Sequence, residues 1–196
     1  MRILIVSQVF WPDSASVSQH LTDLAEALVI RGHKVEVFSS RRGYEDPKLH
    51  YCAKELYKGV HIRRLKQTSF KKNNKIGRVL NFLTFNLHLL CALLCLRKCD
   101  CDIIIGTTVP PFSSFFNAFA AGIKKINFCH WAMDLQPELS ITSGYLTKYS
   151  PLALFLFAAK FQQKGYHLFD ITVLNVKITG ALIEYISNMA RSGADI

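Results

Sequence analysis

The chain has 196 residues, of which 50% are hydrophobic, and it carries a formal net charge of +10 at pH 7. This length and hydrophobic content predict one sizeable packed domain and exclude a disordered chain. The excess of positive charge favours a negatively charged partner, namely a membrane surface, a phosphorylated substrate or nucleic acid. A basic surface that only contacts solvent would give the same net charge.

Six cysteines are present, and no signal-peptide core precedes them, because Met1-Arg2 leads directly into a short apolar run. A reducing cytosol with free thiols is therefore the expected setting, which predicts a cytoplasmic protein. No Cys-x-x-Cys pair occurs, so no metal site is predicted. We interpret the closely spaced cysteines between residues 91 and 101 as small buried hydrophobes.

The first 38 residues predict a strand, a helix and a second strand. Residues 2–6 form a continuous apolar run, which is typical of a strand buried on both faces. Helical spacing follows in residues 17–28, where Ser14 or Ser16 can cap the start and Gly32 can end the helix. Residues 34–38 form the next strand, so this segment predicts a βαβ unit with parallel strands and a right-handed crossover.

The middle of the chain alternates between polar loops and apolar segments. We interpret residues 39–59 as a long loop, 60–65 as a strand near a sheet edge, and 67–75 as a basic loop. Residues 79–96 carry no formal charge and have basic flanks, a length at which a membrane-spanning helix enters consideration. Asn81, Thr84 and His88 would put a polar stripe on that helix, which lipid disfavours. We expect a helix packed on the sheet, with contact with a membrane surface as the alternative.

The last third continues the alternation of strands and helices. Strands are predicted at 102–105, 125–129 and 170–174, and helices at 112–123, 150–164 and 178–189. Pro110 and Pro111 suit the first position of the helix that follows them. The fold class is therefore α/β, with a doubly wound, Rossmann-like and mainly parallel sheet. One domain is predicted over residues 1–190, and residues 191–196 are predicted to be a tail.

The loop after the first strand excludes several nucleotide-binding classes. Residues 7–16 contain no glycine, so a tight dinucleotide turn for NAD or FAD is disfavoured, and no cofactor is predicted. The chain also contains no P-loop motif and no G-x-S-x-G nucleophile elbow. The amide groups at the following helix start can hold a phosphate or sugar hydroxyls. The alternative is that Phe10 and Trp11 cover the sheet edge while Ser14 caps the helix.

The segment 127–138 gathers the side chains best suited to chemistry. It begins as the end of an apolar strand and places His130 and Trp131, and then Asp134 and Glu138, where that strand should end. Ligands of open α/β sheets bind beyond the carboxyl ends of the strands. His130, Asp134 and Glu138 are therefore acid–base candidates, although Pro137 means that the two carboxylates need not share a face. The alternative for His130 is a hydrogen-bonded structural role.

Six segments of the sequence, taken in chain order, form a further pattern. They are residues 3–13 (ILIVSQVFWPD), 24–28 (LAEAL), 31–37 (RGHKVEV), 59–64 (GVHIRR), 102–111 (DIIIGTTVPP) and 133–138 (MDLQPE). In this order they resemble the N-terminal domain of family-4 retaining glycosyltransferases of GT-B architecture. The likeness covers residues 1–190, and it is greatest to the branch that assembles O-antigen lipopolysaccharide, capsule and exopolysaccharide.

The resemblance implies the acceptor side of a two-domain cleft whose second domain holds a nucleotide sugar. Transfer then proceeds with retained anomeric configuration, usually without a metal. The acceptor is expected to be a lipid-linked glycan on a polyprenyl diphosphate at the inner face of the cell membrane, with peripheral contact between the protein and anionic lipid. The basic charge and the apolar 79–96 helix suit that setting.

The resemblance also implies roles for particular residues. His130 and Asp134 would lie near the transferred sugar as catalytic residues. The other candidates would bind substrate, with the first five of them near its phosphates: Pro12, Asp13, Ser14, Ala15, Ser16, Thr107, Thr108, Trp131 and Glu138.

Two departures from the family pattern bear on function. The family often has glycine in the first loop, where this chain has Ser14-Ala15-Ser16, so close approach of a phosphate to the backbone is less free. The family's donor motif, two glutamates separated by seven residues, has no place in this sequence. We therefore expect a transferase that acts only with a donor-binding domain or chain supplied elsewhere. The alternatives are a truncated, inactive relic or a membrane-associated binding module. Nucleic acid is not an expected partner, because no binding motif accompanies the charge.

Overall fold

The structure is a computed structural model that describes residues 1–44, 46, 48–70, 75–110, 112–132, 170–172, 184 and 186–188. Its strands are β1 (Arg2–Val6), β2 (Lys34–Ser40), β3 (Lys54–Tyr57), β4 (Val60–Leu65), β5 (Ile103–Thr107), β6 (Asn127–Ala132) and β7 (Asp170–Thr172). Its helices are α1 (Ser16–Ile30), α2 (Lys75–Cys95) and α3 (Ser113–Lys124), with a short 3₁₀ turn at Lys98–Asp100. The described strands form one sheet in the order β3-β4-β2-β1-β5-β6-β7.

The sheet is parallel except at one edge. β1 pairs in parallel with β2 and β5, β2 with β4, β5 with β6, and β6 with β7. Among the described strands, only β3 runs antiparallel, along β4. The predicted α/β class, the mainly parallel sheet and the initial βαβ unit are therefore confirmed. β7 lies within the strand predicted at 170–174, and residues 184 and 186–188 are helical within the helix predicted at 178–189.

One face of the sheet packs against α1. Val35 and Val37 on β2 are fully buried or nearly so, and they lie in the same cluster as Leu21, Leu24 and Leu28 on α1. These helical positions are three and four residues apart, so they present one apolar face to the strands. Gly32 ends α1 with a positive φ of 82°, as predicted, because glycine adopts that backbone conformation without steric strain.

The other face packs against α2 and α3. Phe85, Leu89 and Leu93 of α2 are completely buried with Leu4 and Phe38 of the sheet. The prediction that the apolar 79–96 segment packs on the sheet is therefore confirmed, with the helix beginning four residues earlier, at Lys75. None of the helices in the described part of the chain has the length and apolar character needed to span a bilayer.

The polar stripe of α2 has a structural explanation. The side-chain amide of Asn81 accepts a hydrogen bond from the Phe70 amide and donates one to the Phe70 carbonyl, each at 3.1 Å. The hydroxyl of Thr84 accepts from the Thr68 amide at 3.1 Å. These side chains hold the segment that leads from β4 towards α2, so their polar groups form hydrogen bonds within the protein.

The interpretation of residues 39–59 as a loop was wrong in one part, because β3 lies at Lys54–Tyr57. The strand joins β4 through a turn at Lys58 and Gly59, whose φ angles are both positive at 46° and 83°. Such a pair of residues is typical of the two-residue turns that close antiparallel hairpins. β4 is therefore the second strand from this edge, as its prediction near an edge suggests.

The predicted starts of two helices were also wrong. Ala15 is the residue before α1, and no side chain caps this helix, so neither Ser14 nor Ser16 acts as expected. α3 begins at Ser113 after Phe112, which has a left-handed backbone with φ of 69°. Pro110 therefore lies in the preceding loop and not at the first helical position.

The cysteines divide into two groups. Cys52, Cys91, Cys95 and Cys99 are exposed, whereas Cys101 and Cys129 are buried, and all are free thiols. The interpretation of the 91–101 group as buried hydrophobes is thus correct only for Cys101. The predicted helix at 150–164 and the predicted tail at 191–196 lie outside the described residues.

Candidate active site

The carboxyl ends of β1, β5 and β6 meet at one edge of the sheet. In the parallel register Val6 lies beside Gly106, and Gly106 lies beside His130. One residue further, Thr107 lies beside Trp131. The fold therefore brings the segment after β1 together with three predicted site residues, Thr107, His130 and Trp131.

His130 and Trp131 lie within β6, which continues to Ala132. The expectation that the strand ends before His130 was wrong. A histidine and a tryptophan are compatible with a strand here because both side chains are buried, at 7% and 3% exposure. Their alternation places Trp131 in the core cluster on the α1 face, whereas His130 faces α3.

A serine in the first turn of α3 orients the His130 ring. Nδ1 of His130 lies 2.9 Å from the Ser114 hydroxyl. That hydroxyl is also 3.2 Å from the Thr107 carbonyl. When Ser114 donates to that carbonyl, its oxygen accepts a hydrogen bond from Nδ1–H of His130. The Ser113 hydroxyl donates to the same carbonyl at 3.1 Å. The start of α3 thus fixes both the strand end and the ring.

Three buried polar atoms at this edge have no hydrogen-bond partner among the described residues. They are Gln8 Oε1, Thr108 Oγ1 and Trp131 Nε1, which belong to the ends of three adjacent strands, β1, β5 and β6. Leaving such an atom unsatisfied costs about 1–3 kcal/mol. A ligand hydroxyl could donate to Gln8 Oε1, whereas hydroxyl or phosphate oxygens of a ligand could accept from Thr108 Oγ1 and Trp131 Nε1.

Thr107, in contrast, uses its hydroxyl within the fold. Its side chain is completely buried, and the hydroxyl donates to the carbonyls of Val109 and Val6 at 3.1 and 3.4 Å. The described contacts therefore assign Thr107 to the turn that follows β5.

The loop between β1 and α1 carries the other predicted binding residues. Pro12, Ser14 and Ser16 are exposed, and Asp13 and Ala15 are partly buried. No side chain caps α1, and its first turn contains no acidic residue. The start of α1 thus keeps amide donors and a positive helix end near the sheet edge, an arrangement that suits anions.

The Asp13 carboxylate fixes the neighbouring loop. One of its oxygens accepts hydrogen bonds from the Tyr51 hydroxyl and the Tyr44 amide, each at 3.1 Å. Burial and the adjacent Asp13 charge raise the pKa of Tyr51 to about 12. Tyr51 therefore stays protonated and continues to donate at neutral pH.

Of the two alternatives for Phe10 and Trp11, the structure favours the structural one. Phe10 is completely buried in the core below α1. The Trp11 ring stacks on Tyr57, with ring centroids 4.0 Å apart and an interplanar angle of 18°. The antiparallel hairpin of β3 and β4 therefore supports the loop.

Arg64 is the residue of this site that the sequence analysis missed. Its side chain is fully buried, and it donates to the Trp11 carbonyl at 2.6 Å and to Glu55 at 3.2 Å. The guanidinium also lies over the Tyr51 ring, 4.5 Å from the centroid. A signal was present in the alternation of β4, because Arg64 is in phase with the buried residues Val60 and Ile62.

Gly106 and Asn117 were also missed. A Cβ atom on Gly106 would lie 2.5 Å from the Asn117 side-chain nitrogen, so the glycine lets α3 approach β5 closely. Asn117 is completely buried, and its amide atoms have no described hydrogen-bond partner. The remaining candidates, Asp134 and Glu138, lie outside the described residues. Within the described ranges, no group of three or more His, Cys, Asp or Glu side chains could hold a metal ion.

The mainly parallel sheet and the helices on both of its faces match the fold of the N-terminal domain of a GT-B glycosyltransferase. The chain belongs to Glycosyltransferase Family 4, which its residues 17–174 match. Among solved structures it is similar to sucrose-phosphate synthase from Thermosynechococcus elongatus, with a TM-score of 0.55 and 13% sequence identity. The match covers 81% of this chain and 39% of that one. No curated protein matches the sequence.

Proposed function

We propose that this chain is the acceptor-side half of a nucleotide-sugar-dependent, retaining glycosyltransferase in the synthesis of O-antigen or another cell-surface polysaccharide. The domain spans residues 1–190, and the nucleotide sugar is held by a donor-binding domain or partner chain. The observation that carries this proposal is the placement of His130 at the carboxyl edge of the sheet of a Glycosyltransferase Family 4 domain.

In this proposal His130 and Asp134 act beside the sugar that is transferred. The Ser114 contact holds the imidazole in one orientation, which reduces the ordering that the reaction requires of this side chain. Thr108, Trp131 and Glu138 contact the sugars, and Thr107 contributes by shaping the turn after β5.

The loop from Pro12 to Ser16 lies near the substrate phosphates in this proposal. The uncapped start of α1 supports this assignment, since free amide donors and the helix dipole both favour a phosphate. Asp13 keeps the loop in place through Tyr51 and Tyr44. The phosphates are those of the polyprenyl diphosphate acceptor or of the donor.

The test is sugar transfer in a reconstituted enzyme that combines this chain with a donor-binding half. His130→Ala and Asp134→Ala should each lower kcat by about a hundredfold or more if the side chain takes part in the chemistry. His50→Ala, which removes an exposed histidine elsewhere, is the matched control and should leave kcat unchanged. Unchanged turnover in both site variants, with folding verified by circular dichroism, would remove the site assignment.

The same experiment separates the alternative function, a non-catalytic binding module or inactive relic. Transfer that appears only when both halves are present supports the transferase. No transfer with any donor-binding half, while the chain still binds lipid-linked glycan, supports the binding module.

We further propose that the protein is cytoplasmic and contacts the inner face of the cell membrane through an outward surface of α2 and α3. Exposed apolar side chains recur along α2 at intervals of three and four residues, opposite the face that packs on the sheet. These side chains are Ile76 (73% exposed), Val79 (53%), Leu80 (40%), Leu83 (56%), Leu87 (61%) and Leu94 (45%). On α3 the apolar surface continues with Phe115, Phe119 and Ile123, which are 43–59% exposed.

The charges near this α2–α3 apolar surface favour contact with anionic lipid over contact with a second copy of this chain. α2 contains no acidic residue, and Arg97 and Lys98 are exposed just beyond its end. Pairing of two copies along α2 would offer these charges no acidic partner on that helix, whereas an anionic bilayer would attract them.

Vesicle co-sedimentation tests this surface with the intact chain. We expect binding to phosphatidylglycerol vesicles and weak binding to phosphatidylcholine vesicles. The double change Leu83→Gln and Leu87→Gln should remove about 2 kcal/mol of apolar transfer energy and weaken binding about 30-fold. Leu56→Gln is the control, because Leu56 is 64% exposed on β3. Equal binding by all three proteins, or a dimer in ultracentrifugation that the double change disrupts, would contradict the membrane assignment.

A further inference from the structure

A second concave surface lies away from the candidate active site. It is a cleft of about 670 Å³ formed by the amino-terminal halves of β1, β2 and β4, the edge strand β3 and the residues that follow α2. We name it the amino-edge cleft and define it by Leu4, Lys34, Glu36, Lys54, His61 and Arg63. Its volume is in the range of pockets that hold small molecules, about 300–1,000 Å³.

The pleat of the strands determines what this cleft exposes. Val35, Val37 and Ile62 are buried towards α1, so the alternate residues Glu36, His61 and Arg63 face the opposite side of the sheet. The wall on the far side consists of the segment from Leu96 to Cys101. The floor of the cleft is thus a part of the sheet on which polar side chains replace the apolar contacts made elsewhere.

Apart from Arg2, which pairs with Asp102, four basic residues line the cleft. Lys34, Lys54, His61 and Arg63 are exposed. Among the described residues none of these four side chains makes a hydrogen bond or a salt bridge, and Arg63 contacts only the Phe38 ring, at 5.3 Å. Lys54 and Arg63 lie directly opposite each other on β3 and β4, and an anion placed between them would relieve the repulsion of their charges.

Three carboxylate residues line the cleft, namely Glu36, Glu55 and Asp100, and of these Glu36 lies beside His61 on the floor. Glu36 is partly buried, and burial raises its pKa, while the fields of Arg63, His61 and Lys54 oppose that rise. A carboxylate at this place accepts hydrogen bonds and repels a bare anion. A ligand that satisfies both features has an anionic group for the cations and hydroxyl donors for Glu36.

We propose that the amino-edge cleft binds a phosphorylated sugar or polyol, with its phosphate held by Lys54 and Arg63, which lie opposite each other on β3 and β4, and with its hydroxyls donating hydrogen bonds to Glu36. The site is separate from the carboxyl edge, because the strand from Lys34 to Ser40 rises about 3.3 Å per residue and so spans about 20 Å. The inference does not depend on the proposed transferase activity.

The experiment is titration of the isotopically labelled intact chain with glucose 1-phosphate and, separately, with inorganic phosphate, followed by amide NMR shifts. We expect glucose 1-phosphate at millimolar concentration to shift the amides of residues 34–36, 54–55 and 61–63. Lys54→Gln and Arg63→Gln should each weaken binding about fivefold, as expected for loss of one charge contact near the surface. Arg31→Gln removes an equal charge from the end of α1, on the other face, and should have no effect.

Glu36→Gln separates the two parts of the proposal. It should tighten the binding of inorganic phosphate, because the repelling charge is gone, and it should not tighten glucose 1-phosphate to the same extent, because a hydroxyl acceptor is weakened. The proposal is overturned if glucose 1-phosphate shifts no cleft amide, if Arg31→Gln weakens binding as much as Lys54→Gln, or if Glu36→Gln changes both ligands equally.

Discussion

Arg64 offers a sharp test of how the candidate substrate loop is held. We consider Arg64→Met, which keeps the aliphatic stem and removes the charge. The substitution deletes the hydrogen bonds to the Trp11 carbonyl and to Glu55 and the contact over Tyr51. Breaking a buried charge pair from one side costs about 3–5 kcal/mol. Because Glu55 keeps 32% side-chain exposure, water compensates part of the loss, and we expect about 3 kcal/mol.

The assay is urea unfolding of the intact chain, followed by circular dichroism. A loss of about 3 kcal/mol corresponds to a lower midpoint by about 1 M urea, given an m-value of about 2–3 kcal/mol/M. A second measurement follows the loop itself. The chain has two tryptophans, so Trp131→Phe leaves Trp11 as the sole reporter, and acrylamide should quench it more strongly in the Arg64→Met background.

The matched control is Arg63→Met on the same strand. Arg63 points to the other side of the sheet and is exposed, so its loss should change stability by less than about 1 kcal/mol. If Arg64→Met unfolds at the wild-type midpoint and leaves Trp11 quenching unchanged, then Arg64 does not hold the loop.

Three further predictions concern other parts of the fold. Gly106→Ala places a methyl group against Asn117 and should lower the free energy of unfolding by about 1–3 kcal/mol; Asn117→Ala in the same chain should recover part of that loss in urea unfolding. In a thiol-reagent titration of the native chain, the four exposed cysteines should react quickly and the two buried ones only after unfolding, since burial raises their pKa values to about 12 and about 11; six fast thiols would contradict the buried placement. Asp102 accepts hydrogen bonds from Arg2, which lower the pKa of that carboxyl, so it stabilises the fold above the unfolded pKa, about 4, and the stabilisation disappears as pH falls through the lower folded pKa. Asp102→Asn should therefore reduce the unfolding midpoint at neutral pH and converge with wild type in acid; a constant difference at all pH values would argue against the ion pair.

Much of the fold could be predicted because its parallel strands carry local signals. The apolar runs at β1, β2 and β5 predict strands, and the spacing of α1 predicts a helix, without reference to residues distant in sequence. β3 is different, because Lys54–Tyr57 alternates between exposed and half-buried positions and has no apolar run. It becomes a strand through pairing with β4 and through the bond from Glu55 to Arg64, contacts that local periodicity does not reveal.

The candidate site was predictable in location but only partly in detail. The position of His130 after an apolar run placed it at the carboxyl edge of the sheet, where the structure has it. The extension of β6 through Trp131 was missed, because burial by α3 and by the α1 face lets polar and aromatic residues continue a strand. Ser114 contacts a residue distant in sequence, and no spacing rule points to it. The alternation of β4 indicates that Arg64 is buried, but it does not reveal the contact with Trp11.

The short hairpin at the β3 edge has a consequence for association between molecules. β3 has only four residues, with the exposed Lys54 at its start, so its free side offers few backbone groups to an incoming strand and places a positive charge beside them. Such an edge resists the growth of intermolecular sheets. At high protein concentration this edge therefore disfavours amyloid-like stacking of the chains. Any aggregation that begins on the described part of the protein should start from its exposed helical leucines, and mild detergent should suppress it more effectively than a change in ionic strength.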